Sequence, residues 1–125
     1  MIGYVTLGTN DRERSARFYD AVCAELGCGR MMETEQYIGW GNAGGGAGIG
    51  LTRPFDGGAA SVGNGTMVAL EAKDPGHVAR IHAAALAHGG TDEGAPGPRG
   101  EGFYAAYFRD PDGNKLNAFV MAGEG

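Results

Sequence analysis

Val5-Thr6-Leu7-Gly8-Thr9-Asn10-Asp11 returns, on a shift of 63 positions, as Val68-Ala69-Leu70-Glu71-Ala72-Lys73-Asp74. Val5 falls on Val68, Leu7 on Leu70 and Asp11 on Asp74. The same shift lays Ala16-Arg17-Phe18-Tyr19 on Ala79-Arg80-Ile81-His82, and Gly27 on Gly90. Periodic self-similarity of this kind is the mark of a duplicated structural unit. Each copy reads as a strand, a helix and then short strands separated by glycine. Two copies of about 60 residues fill a single domain of residues 1–125. Module one takes about residues 1–53 and module two about 65–125, with residues 54–64 between them.

Working outward, Tyr4 to Gly8 puts Val5 and Leu7 on one strand face and Tyr4 and Thr6 on the other. Asn10, with Glu13 three residues on, has the spacing of a capping box. Phe18, Val22 and Leu26 follow at helical spacing, and Gly27 stands where a helix ends. These signals predict a helix over Asp11–Leu26. In the second copy Asp74 caps, Pro75 sits at the first helical position, and Val78, Ile81, His82 and Ala85 form the stripe. That helix is expected over Pro75–His88. Further strands are expected at Arg30–Thr34, Tyr37–Gly41, Gly48–Thr52, Thr66–Ala72, Phe103–Arg109 and Asn114–Met121. Asp110-Pro111-Asp112-Gly113 is a turn joining the last two as a hairpin. Thr91 to Gly94 is a candidate short strand, and Pro96 to Gly100 reads as loop.

Composition removes several function classes. There are 25 glycines in 125 residues, where about 7% is ordinary, and no G-X-Y period. A chain this long buries roughly 65% of its unfolded surface, enough for a core without disulfides or metals. With 10 Lys+Arg against 15 Asp+Glu and no basic run, nucleic acid is a poor partner. No apolar stretch approaches a membrane span, and no secretory signal opens the chain. Cys23 and Cys28 fit a reducing cytoplasm, and neither has the neighbouring His or Lys of a nucleophilic thiol. Gly39-Trp40-Gly41-Asn42-Ala43-Gly44 matches the dinucleotide fingerprint G-x-G-x-x-G, but Gly45-Gly46-Ala47-Gly48 follows it and cannot open a helix. A flexible hairpin tip is the better reading.

Two βαβββ modules carrying "VTLGTND", "ARFYD" and "FRDPDGNKLNAF" resemble the vicinal oxygen chelate superfamily, the glyoxalase, bleomycin-resistance and extradiol-dioxygenase group. The resemblance covers the whole chain. It implies an α+β fold in which each βαβββ module forms an open half-barrel, two halves enclosing a small-molecule cavity. It also implies a homodimer with cavities shared between subunits. Family enzymes hold a divalent metal with His and Glu on the first and last strands of each module. Those positions fall here at Tyr4, Gly50, Met67 and Asn117, none of which suits such a metal. No metal or other cofactor is therefore expected.

His77, His82 and His88 lack the i, i+4 spacing of a helical metal pair, and His82 repeats the packing position of Tyr19. Strand alternation assigns the cavity wall to Tyr4, Thr6, Met67, Ala69, Glu71, Phe103, Ala105, Tyr107, Asn117, Phe119 and Met121. Trp40, with Tyr37 as a second candidate, comes from module one. An aromatic and Met-rich wall suits a flat or apolar organic ligand. Three readings follow. One is a metal-free binding or sequestering protein. Another is a glyoxalase- or dioxygenase-like enzyme using Tyr4, Glu71 or Tyr107. The third is a non-catalytic dimerisation module.

Overall fold

The structure, a computed structural model, describes residues 1–121; the end of the expected second module, residues 122–125, lies outside the described residues. Module one comprises β1 (Tyr4–Gly8), α1 (Arg12–Glu25), β2 (Gly29–Glu33), β3 (Tyr37–Gly41) and β4 (Gly48–Thr52). Module two comprises β5 (Val68–Glu71), α2 (Pro75–Ala87), β6 (Thr91–Pro98), β7 (Phe103–Arg109) and β8 (Lys115–Met121). The sheets have the orders β1-β4-β3-β2 and β5-β8-β7-β6, so the duplication extends to topology. In each, the first strand pairs parallel to the last and the rest are antiparallel. The sheets are open, and β1, β2, β5 and β6 form their edges.

Helix α1 is capped by Asp11, which accepts from the Arg14 amide at 3.1 Å, and not by Asn10 as the spacing to Glu13 suggests. Asn10 is spent on the linker. Its amide donates to the Ala60 carbonyl (3.1 Å) and accepts from the Ala60 amide (2.7 Å). A carboxylate cannot do both, and Asp11 is free to place its negative charge at the helix N-terminus. Helix α2 starts as the sequence indicates, with Asp74 accepting from His77 and Pro75 in the first turn.

A second correction concerns β6. It runs on from Thr91 through Pro96, Gly97 and Pro98, residues whose composition reads as loop. Proline lacks the ladder donor, but β6 is an edge strand with register shifts at Asp92/Gly94 and Gly94/Gly97. Edges and bulges are where a sheet tolerates proline.

The helix-facing side chains of both sheets enter one core. Leu7, Ile38, Trp40, Ile49 and Leu51 of module one meet Leu70, Phe108, Leu116 and Ala118 of module two around Phe18, Val22, Val78 and Ile81. Phe18 packs at 4.9 Å on Tyr19 and at 6.2 Å on Phe108, crossing the module boundary. Because this core is shared, the concave face of each sheet points away from it. The described residues of a single chain therefore present two open half-barrels.

Candidate functional site

On the concave face of module one, Tyr4 and Thr6 of β1 lie beside Gly48 and Gly50 of β4, with Gly39 opposite Gly50 on β3. Val5, Ile38, Trp40, Ile49 and Leu51 alternate to the other side, as period-two pleating requires. Those glycines leave a floor without side chains. Tyr37 lies across it: a Cβ built on Gly50 would fall inside the Tyr37 phenol, and one on Gly39 would meet its ring at 3.2 Å. Met31 and Met32 approach from the bulged strand β2. The result is a cleft of about 530 Å³ with walls that include Tyr4, Met31, Met32 and Tyr37.

Trp40 borders this cleft but turns its indole away from it. It is 3% exposed, packs on Tyr19 at 5.5 Å and donates from Nε1 to Asp20 at 2.9 Å. The alternation decides this, since Tyr37 and Trp40 are three residues apart and must face opposite sides of β3. Of the two aromatic candidates, Tyr37 faces the cleft and Trp40 faces α1. The Arg30 guanidinium bonded to Asp20 holds that carboxyl below its ordinary value.

The concave face of module two gathers most of the remaining wall residues. Ala69, Asn117 and Tyr107 stand in one cross-strand row, and Glu71, Phe119 and Ala105 in the next. Phe103 and Phe119 stack at 5.7 Å with ring planes 20° apart. Met67 precedes β5 and is exposed, as are Glu71 and Met121. Asn117 is 1% exposed and its Oδ1 has no hydrogen-bond partner among the described residues. A buried acceptor left unpaired costs about 1–3 kcal/mol, and such an atom in a folded protein calls for a partner.

Two residues of this face escape the sequence reading. The Lys115 ammonium lies 5.5 Å from the Tyr107 ring centroid, and the Arg99 guanidinium 5.6 Å. Position 115 shares the face of 117 and 119, so alternation could have found the lysine. Arg99 carried no such signal. It follows β6 and folds back over that strand, donating from Nη2 to the Ala95 carbonyl at 2.6 Å.

The positions where the family's metal ligands fall do not fit a catalytic divalent ion. Tyr4 is 68% exposed, Met67 offers a thioether, Asn117 a neutral amide, and the space beside Gly50 holds the Tyr37 phenol. Such sites take imidazole and carboxylate. The histidines are engaged elsewhere. His77 accepts at Nδ1 from the Lys73 amide (3.0 Å) and donates from Nε2 to the Glu25 carbonyl (2.6 Å), tying α2 to the end of α1. His82 is a packing residue against Phe108 with Nε2 2.9 Å from Asp92. Among the described residues no three His, Cys, Asp or Glu side chains converge.

Tyr4 and Thr6 therefore occupy one half-barrel of a chain, and Glu71, Phe103, Tyr107, Asn117 and Phe119 the other. A further cleft of about 650 Å³ runs along the unpaired edge of β5, where Met67, Val68 and Leu70 face Val5, Cys23, Leu26 and Ile49. It is largely apolar, and Ala69 and Glu71 of the module-two face and Gly48 of the module-one floor also border it. No helix among the described residues is long and apolar enough to cross a membrane.

Paired βαβββ units with half-barrel faces define a class of α+β fold, and comparison with known proteins agrees. The profile of the Glyoxalase/Bleomycin resistance protein/Dioxygenase superfamily matches residues 1–118, and the chain belongs to that superfamily. It is similar to a glyoxalase/bleomycin resistance protein from Albidiferax ferrireducens T118, at 38% identity and TM-score 0.89 over 97% of this chain and 98% of that one. A glyoxalase-related enzyme from Fulvimarina pelagi shares the fold at 23% identity and TM-score 0.77, over 96% and 87% of the two chains. So does a lactoylglutathione lyase from Agrobacterium tumefaciens, at 20% identity and TM-score 0.70, over 96% and 92%. Among curated protein sequences nothing matches the chain.

Proposed function

We propose that the protein binds a small planar organic molecule in a cup built from two half-barrels, and does so without the family's divalent ion. The observation that carries this is the Tyr37 ring laid over Gly50, where a metal ligand's side chain would have to stand. The wall is aromatic and thioether in character over a glycine floor, which favours stacking of a flat ring. Acid–base catalysis by Tyr4, Glu71 or Tyr107 is the weaker reading. A catalytic base is ordinarily oriented by a hydrogen bond from a second protein group, and among the described residues none of the three makes a side-chain hydrogen bond within the chain.

The cup closes between two copies of the chain, so the working unit is a homodimer in a reducing cytoplasm. Each chain leaves β1 and β5 as unpaired edges flanked by exposed Ile2, Tyr4 and Met67. Such edges invite pairing with a second copy. Sedimentation at micromolar concentration should show twice the 12.8 kDa mass of the chain; a stable monomer would remove the shared cup. Ligand binding is tested by thermal shift against a broad panel of planar aromatic compounds. Stabilisation by some members is expected, and a flat response across the panel would favour the dimerisation-module reading. Trp40 fluorescence is a poor reporter, since the indole is sealed in the core. Elemental analysis after dialysis should find no stoichiometric zinc, nickel, iron or manganese.

A further inference from the structure

Lysine and arginine side chains fall into distinct groups here. Arg12, Arg14, Arg30, Arg80 and Arg109 each have a carboxylate oxygen within 4 Å. Arg17, Arg53 and Lys73 are exposed, where water screens a lone charge. Arg99 and Lys115 differ from both. They are half-buried, they have no carboxylate partner among the described residues, and they converge on the ring of Tyr107. Arg99 donates only to the Ala95 and Pro98 carbonyls, at 2.6 and 3.4 Å. Tyr107 in turn stands opposite Asn117, whose Oδ1 is buried and unpaired. Two uncompensated cations, an aromatic face and an orphaned acceptor thus meet at one place. The Glu71 carboxylate stands one row away, beside Phe119.

We propose that the ligand of the cup is an anion, a planar ring carrying a carboxylate, with Arg99 and Lys115 taking the charge beside Tyr107. A hydroxyl or N–H on the ring would donate to Asn117 Oδ1. The inference rests on the small-molecule reading above and adds the ligand's charge to it. The guanidinium is suited to this because its planar fork meets a carboxylate with two donors and can stack on an aromatic ring at the same time. Its present carbonyl contacts are neutral and exchangeable for a charged acceptor.

Two probes of equal shape separate the questions: 3-hydroxy-2-naphthoate and 3-hydroxy-2-naphthamide, titrated calorimetrically into the intact protein. The carboxylate should bind about tenfold tighter than the carboxamide, and added salt should shrink that margin. Arg99→Gln with Lys115→Gln should abolish the margin, read as the ratio of the two affinities so that any loss common to both probes cancels, with far-UV circular dichroism showing that the fold is kept. Equal binding of both probes to the unaltered protein overturns the anion inference and leaves the cup standing. A margin that survives the double substitution overturns the assignment to Arg99 and Lys115. Binding of neither probe overturns this inference, and the small-molecule reading falls with it when the planar panel also gives no thermal stabilisation.

Discussion

The hydroxyl of Tyr19 in α1 donates a 2.6 Å hydrogen bond to Asp110, in the turn that joins β7 to β8 of the other module. Asp110 also accepts from the Asn114 side chain at 2.9 Å, and Asn114 continues to the Gly8 carbonyl at 3.0 Å. Next to it, Asp112 accepts from the Asn10 amide at 2.8 Å and from the Ser15 hydroxyl. The Asp110-Pro111-Asp112-Gly113 turn is therefore more than a hairpin connection. It fastens module two to β1 and α1 of module one, and so sets how the half-barrels face.

Tyr19→Phe keeps the ring and its packing and removes one buried donor. Stability in urea should fall by about 1–3 kcal/mol, the range for an unsatisfied buried partner. A change within the ±0.5 kcal/mol typical of surface substitutions would show that the turn is held by its other bonds.

Asp110 also sets a pH dependence. Burial pushes its carboxyl above the ordinary value, with the Asp112 charge adding to the push, and hydrogen bonds from Tyr19 and Asn114 only partly oppose it. In the folded chain Asp110 thus holds a proton over a range where the unfolded chain has lost it. Stability from this group is complete below the ordinary carboxylate value of about 3.9 and is lost as pH rises through the folded value. Measured against Asp110→Asn, the native protein should lose stability as pH is raised from about 4 and then level off. A constant difference across that range would contradict the shift.

Gly50→Ala places a methyl group where the Tyr37 ring lies. Overpacking of this sort costs about 1–3 kcal/mol. The same change in a Tyr37→Ala background should be nearly neutral, giving a large coupling in a double-mutant cycle. Independent costs would mean that the ring does not rest on Gly50.

The two thiols should react unequally. Burial pushes Cys23 up to about 12, with Cys28 and Asp20 contributing, whereas Cys28 is half-buried beyond the end of α1. Since the thiolate is the reactive form, a disulfide reagent at pH 8 should modify one thiol in the native protein and both in denaturant. Rapid modification of both under native conditions would be incompatible with a sealed Cys23.

Much of this architecture was legible in the residues because its signals are local. The shared spacing of Val5, Leu7 and Asp11 with Val68, Leu70 and Asp74 dictated two copies of one unit. Asp74-Pro75 and Gly27 marked helix ends by backbone chemistry alone. Strand alternation put Tyr107, Asn117 and Phe119 on one face, because a pleated strand leaves no other choice. What failed were positions where two local solutions compete or where the chain folds back. Asn10 and Asp11 can both cap a helix, and only contact with Ala60 decides between them. Pro96 and Pro98 read as loop until β6 is known to be an edge. The phenol of Tyr37 on Gly50 and the guanidinium of Arg99 on Tyr107 depend on side-chain paths that no periodicity encodes. The sequence by itself determined the repeat and its elements, since these follow from residue type and spacing. The tertiary structure alone decided which groups crowd onto each concave face, because that depends on long-range pairing and on which surfaces the shared core consumes.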